Sequence, residues 1–194
     1  MHKLLTLVVM ACGTMAAQAI VDSNNVVSAR TLRYKPARTA LKEYNQGLRS
    51  VRKGLPQEAA GHFAEAVRIN PDYVEALQQL GIAQAAQGET EQSLDSFLKA
   101  SKLDPDSDPL RFNVALTLAR LHRMAEAEPY ARQVARHAPW FMDGQYLLGI
   151  ALVAQSKLTA EAAASLRRAA GTFTEARAAL EWMEAQQLER IAKN

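Results

Sequence analysis

Sulfur, aromatic rings and long apolar runs are what this sequence is short of. It has one cysteine, Cys12, and aromatic residues make up only 6% of 194 positions. A lone cysteine closes no internal disulfide and builds no cysteine metal site. Stability must then come from packing alone. Runs dense in β-branched residues hardly occur after residue 30, so a sheet is not expected. The longest apolar run in the body of the chain, YLLGIALVA from Tyr146 to Ala154, has nine residues, well short of a bilayer span.

Charge of one sign is missing too. With 23 basic and 20 acidic residues the net charge is +3, and no continuous basic face results. The electrostatic footprint of a nucleic-acid binder is therefore absent. Glycine-rich phosphate loops do not occur. His62, His122 and His137 fall in different hairpins or on different helices, with no pair at i, i+4 and no serine or carboxylate placed as a relay. No enzyme, no cofactor and no metal site is expected.

What the sequence has is alanine, leucine, glutamate, glutamine and arginine, with 48% hydrophobic residues, enough for a packed core. That composition predicts an all-α chain. The beginning is different: Lys3, an apolar run from Leu4 to Ala11, small residues, and Ala17-Gln18-Ala19 suit an exported chain cleaved after residue 19. Cys12 leaves a second reading open, because VMAC resembles the bacterial lipobox, with Met10 where a small residue is usual. Lipidation there would make residues 20–38 a tether. That segment carries Arg30, Arg33, Lys35 and Arg38 against Asp22, and reads as a flexible basic linker.

From about residue 40 a period of 34 takes over. Pro71, Pro105 and Pro139 recur at that spacing, as do Gly47, Gly81, Ala115 and Gly149, then Ala59, Ser93 and Ala127, Phe63 and Phe97, and Ala66 and Ala100. A fixed period near 34 is the mark of stacked helical hairpins. The small residue lets two helices approach, the large one fills the space between them, and the proline stops the second helix. Pro129 predicts a late start for one second helix, and Asp108 before Pro109 a helix cap.

These residues resemble the tetratricopeptide repeat (TPR) family over about Ala40 to Phe173. The third unit departs at Ala131, where a large residue belongs, and the fourth fits only with one residue inserted, which aligns Ala162, Leu166 and Ala169. The resemblance implies an all-α, right-handed superhelical solenoid of about four hairpins (40–73, 74–107, 108–141, 142–173) within a repeat domain at 39–173. Residues 174–194, with Leu180, Met183, Leu188 and Ile191 on one side, read as a capping helix.

It also implies a protein or peptide partner in a concave groove lined by first helices. The rows expected there are Tyr44, Gln78, Phe112 and Tyr146; Leu48, Ile82, Leu116 and Ile150; and Val51, Ala85, Ala119 and Val153. Asn45, Gln79 and Asn113 add amides. The basic clamp by which some family members grip an acidic C-terminus is missing, since Tyr44, Leu48, Gln79, Pro109 and Asn113 hold its places. Trp140 and Phe141, at a corner where other units have Asp72 and Asp106, form a second candidate patch. The expected function is a non-catalytic adaptor of the cell envelope, periplasmic or secreted and free of transmembrane segments after processing. The alternative is a structural, lipid-anchored part of an envelope assembly such as a secretion or pilus complex.

Overall fold

The computed structural model describes the backbone of residues 35–192 and the side chains of residues 35–189. The signal-like segment, Cys12 and most of the basic linker lie outside the described residues. Within them the chain is helical throughout: α1 (Arg38–Arg52), α2 (Pro56–Ile69), α3 (Val74–Ala86), α4 (Thr90–Leu103), α5 (Asp108–Arg120), α6 (Met124–His137), α7 (Met142–Ala154), α8 (Ala160–Ala169) and α9 (Thr174–Ala192). The first eight form four consecutive helix–turn–helix units, and α9 follows as the capping helix.

Two kinds of corner produce this pattern. At the end of each of the first three units the residue before the proline leaves the helical region: Asn70 (φ −136°, ψ 87°), Asp104 (−128°, 78°) and Ala138 (−125°, 73°). The proline then takes the second position of a turn closed by a hydrogen bond to the carbonyl of that same residue, from Tyr73 (3.1 Å), Ser107 (3.4 Å) and Phe141 (3.0 Å). Inside the units the corner is a left-handed residue, again every 34 positions: Gly54 (φ 70°), Gly88 (79°), His122 (60°) and Ser156 (60°). The next amide reaches back five residues, as in Leu55 to Ser50 (3.0 Å), Glu89 to Gln84 (3.0 Å), Arg123 to Leu118 (2.9 Å) and Lys157 to Leu152 (2.9 Å). This is the Schellman ending, which satisfies carbonyls left open at a helix C-terminus.

The chain divides after Thr117 into two compact units. In the first, α1 packs on α2, α2 on α3 and α3 on α4. A β-carbon at Gly47 would lie 2.5 Å from the Phe63 ring, and one at Gly81 would lie 2.8 Å from the Phe97 ring. Further on, Leu77, Ala100 and Leu110 form a buried cluster covered by Val67, Val74 and Leu103. In the second unit α6 packs on α7, α7 on α8, and α9 on both α7 and α8. There Leu166 takes the place of the phenylalanine, 2.6 Å from where a Gly149 β-carbon would stand. The inserted residue of the fourth hairpin therefore sits between Ser156 and α8, whose start is capped by Thr159 accepting from the Ala162 amide (3.2 Å).

Three local expectations need correction. α6 does not start late: it begins at Met124, 34 residues after Thr90, with Pro129 inside it. Pro129 lies exposed while Ala127, Ala131 and Val134 are buried, so burial of the opposite face holds the helix despite one missing amide. Asp108 is not the cap of α5; the Leu110 amide donates to Ser107 Oγ (3.4 Å), and Asp108 pairs with Arg111 (2.6 Å). In α9 the buried residues are Ala176, Ala179 and Met183, while Leu188 is 68% exposed. Five residues beyond Met183, Leu188 is turned well away from the packed stripe.

A polar seam ties the second unit together. Glu128 on α6 accepts from Lys157 (2.6 Å), from Arg132 (2.7 Å) and from Gln155 at the end of α7 (2.8 Å), and Arg132 also bonds Glu161 on α8. The Lys157 ammonium first, then Arg132 and Gln155, pull the Glu128 carboxyl down to about 2 against the opposing effect of burial.

Two predictions follow from these contacts. His122→Gly and Ser156→Gly should each raise stability by about 1 kcal/mol in urea denaturation, because a left-handed non-glycine residue costs that much, and Gly88→Ala should lower it by a similar amount. The folded carboxyl of Glu128 is held below its unfolded value, so its contribution is complete above the ordinary carboxylate range. It is lost as pH falls toward about 2. Denaturation midpoints of the wild type should therefore fall more steeply with acidification than those of Glu128→Gln.

Candidate functional site

The first helix of each unit carries the residues expected to meet a partner. On α1 the apolar positions Leu41, Tyr44, Leu48 and Val51 follow a 3-4-3 spacing and so share one stripe. Val51 is 48% exposed, Leu41 is exposed too, and Tyr44 and Leu48 are half-buried. The Tyr44 ring lies against Phe63 (5.7 Å between centroids) and Tyr73 (5.1 Å), so one edge of it is held in the hairpin. Burial, then the carboxylate of Glu75, pushes its phenol up to about 12, leaving it a neutral hydrogen-bond donor at any ordinary pH. Glu75 is itself raised by burial, with Asp104 adding to the effect.

The same register on α3 holds Gln78, Ile82 and Ala85, all half-buried, and Gln79, which is buried. Asn45, beside Tyr44, is exposed. On α5 every residue from Arg111 to Ala119 is buried, Phe112, Asn113 and Leu116 among them. The Asn113 amide has neither of its polar atoms hydrogen-bonded, an unusual condition for a side chain 1% exposed.

In the second compact unit Tyr146 and Ile150 are buried within α7, of which every residue from Gly144 to Val153 is buried. The Tyr146 ring stacks on Phe173, just ahead of the capping helix, with centroids 5.0 Å apart. The approach of α9 therefore covers this position of the row. Periodicity could place Tyr146 on a first helix but could not show which later segment would lie over it.

Other residues singled out in the sequence sit apart from these rows. Trp140 is 76% exposed and Phe141 half-buried at the α6–α7 corner. His62 joins the two helices of the first hairpin through Glu43 (2.9 Å). Among the described residues no group of three or more histidine, cysteine, aspartate or glutamate side chains is placed to hold a metal ion, and no helix is long and apolar enough to cross a membrane.

Two polar positions went unnoticed in the sequence because different residues do the same job. Gln87 and Gln155, 68 apart, end first helices and donate to the first carbonyl of the preceding second helix, Pro56 and Met124 (3.4 Å each). Arg111 and Gln145, 34 apart, bond the carbonyls of the corner prolines, Pro105 and Pro139. Their signal was the position, not the residue type.

The backbone has known counterparts. MamA from Desulfovibrio magneticus RS-1 is 24% identical, with 79% of this chain and 88% of that one covered at a TM-score of 0.72. YrrB, described as a TPR protein with an unusual peptide-binding site, is 16% identical over 78% of this chain and 79% of its own, at 0.71. A MamA AMB-1 structure follows at 19% identity, 76% and 82% coverage and 0.68. At these identities the likeness is one of fold. No curated protein matches at the sequence level. The tetratricopeptide repeat model itself matches residues 44–108 and 112–175. With prolines, left-handed corners and close helix contacts recurring in the same register, the chain belongs to the tetratricopeptide repeat family and is an all-α scaffold for protein–protein interaction.

Proposed function

We propose that this scaffold is an exported adaptor of the cell envelope, and that it holds a partner's amphipathic helix or extended apolar peptide along the exposed and half-buried rows of the first helices α1 and α3. The observation that carries the reading is the apolar stripe of α1. Of the large apolar side chains that stay exposed among the described residues, Leu41 and Val51 lie on this one stripe, with Leu48 half-covered between them. Water-exposed leucine and valine in a row forgo about 1.5 to 3 kcal/mol each, a gain that a docked apolar segment recovers.

Asn45, exposed beside the apolar row, carries an amide of the kind that bonds a peptide backbone. The likeness to YrrB, a TPR protein with an unusual peptide-binding site, points the same way. Export rests on Lys3, the apolar run to Ala11 and the Ala17-Gln18-Ala19 end.

A photo-crosslinker placed at Leu48 in the native cell envelope should capture one discrete protein. Leu48→Glu and Ile82→Glu should each weaken that complex by about tenfold or more while leaving the helical circular-dichroism signal intact. Crosslinks confined to the chain itself would overturn the reading.

A further inference from the structure

The α6–α8 seam is charged at both ends, and the ends differ. At one, Glu128, Arg132, Lys157 and Glu161 neutralise one another. One turn further along α6 stands Arg136, four residues after Arg132, and two turns further along α8 stands Arg168, seven after Glu161. Arg136 is exposed and makes no hydrogen bond or ion pair within the described residues. Arg168, also exposed, reaches only an amide, donating to Gln145 Oε1 (3.5 Å).

Gln145 is fully buried and fixes this arrangement. Its own amide donates to the carbonyls of Ala135 (3.0 Å) and Pro139 (3.4 Å), the residues next to Arg136 and Trp140. Two arginines without acid partners and an indole are thus gathered at one corner. Trp140 is the most exposed large apolar residue among those described, at 76%. The corresponding position of the other corners holds Asp72 and Asp106. The acid nearest in sequence, Asp143, is half-buried and already engaged in an interaction of its own.

We propose that this corner docks on an anionic lipid surface, with the Trp140 indole entering the interface and Arg136 and Arg168 meeting headgroup phosphates. An indole is apolar along its body and polar at its N–H, which suits the depth of the headgroups. Guanidinium groups match phosphate oxygens two at a time. A ring this exposed at a turn can enter a fluid interface directly, whereas a protein partner would have to bring a pocket to it.

The test uses the full chain with Trp182→Phe, which leaves Trp140 as its only tryptophan. At low salt, vesicles of phosphatidylcholine with phosphatidylglycerol should shift Trp140 emission to the blue and shield it from an aqueous quencher. Phosphatidylcholine alone should not, and added salt should reverse the effect. Arg136→Gln, which breaks no contact, should weaken vesicle binding about fivefold with an unchanged melting curve, and adding Arg168→Gln should weaken it again by a similar factor. Binding to vesicles with no change at Trp140 would assign the interaction to the N-terminal segment and overturn the proposal. So would a Trp140 shift that a soluble glutamate-rich peptide produces and phosphatidylglycerol does not, which would make the corner a protein site.

Discussion

Close approach of the two helices within a hairpin is the constraint on which the rest depends. Gly47 and Gly81 leave no room for even a methyl group beside Phe63 and Phe97, and Gly149 leaves none beside Leu166. The ring or isobutyl group thus rests on bare backbone of the facing helix, and an added carbon would overpack the contact at a cost of about 1–3 kcal/mol. Because this contact fixes the spacing of the pair, it also fixes which residues of the first helix flank it. Leu48 and Ile82 each follow such a glycine by one position, and Tyr44 and Gln78 precede it by three. Tyr44 and Leu48 both rest against the Phe63 cluster, so the rows proposed to meet a partner border the hairpin's own packing on α1.

Corners set the second constraint, and the protein meets it with two unlike devices. Between units, proline disfavours the helical conformation at the residue before it, and Asn70, Asp104 and Ala138 each leave the helical region there. Within units, the turn needs a left-handed residue, which glycine supplies in the first two hairpins and His122 and Ser156 supply in the last two. The backbone bonds around all four are the same, so the strain at His122 and Ser156 is balanced by the rest of the hairpin.

Repetition is why so much could be read from the sequence. Gly81, Phe97 and Pro105 each have counterparts 34 residues away, so every unit serves as a check on the next, and the one-residue insertion in the fourth was visible as a break in that register. Features without counterparts were not legible. Pro129 inside α6 and the outward-turned Leu188 depend on which face a neighbour covers, a property of packing that periodicity does not carry. The cover that Phe173 provides over Tyr146 was hidden for the same reason, since it joins residues 27 apart in no repeating relation. The Ser107 cap was missed because two cap-forming residues adjoin, and only the observed bond distinguishes them.

Where the repeat is kept, the residues explain one another; where it is broken, something outside the repeat is called for. Corner positions illustrate this. Arg111 and Gln145 stand one period apart and both hold the carbonyl of the corner proline, yet their surroundings have diverged. Around Arg111 the corner is acidic: Asp108 pairs with it at 2.6 Å and Asp106 lies at 3.8 Å, so the arginine's charge is balanced locally. Around Gln145 the structural duty has passed to a neutral amide, and the nearby arginines, Arg136 and Arg168, are left without acids while an exposed tryptophan replaces the aspartate. A neutral side chain suffices to hold the turn, so the turn itself does not require the cations gathered there. Arg136 and the Trp140 indole, which the turn does not use, are what this corner offers to the anionic surface proposed above.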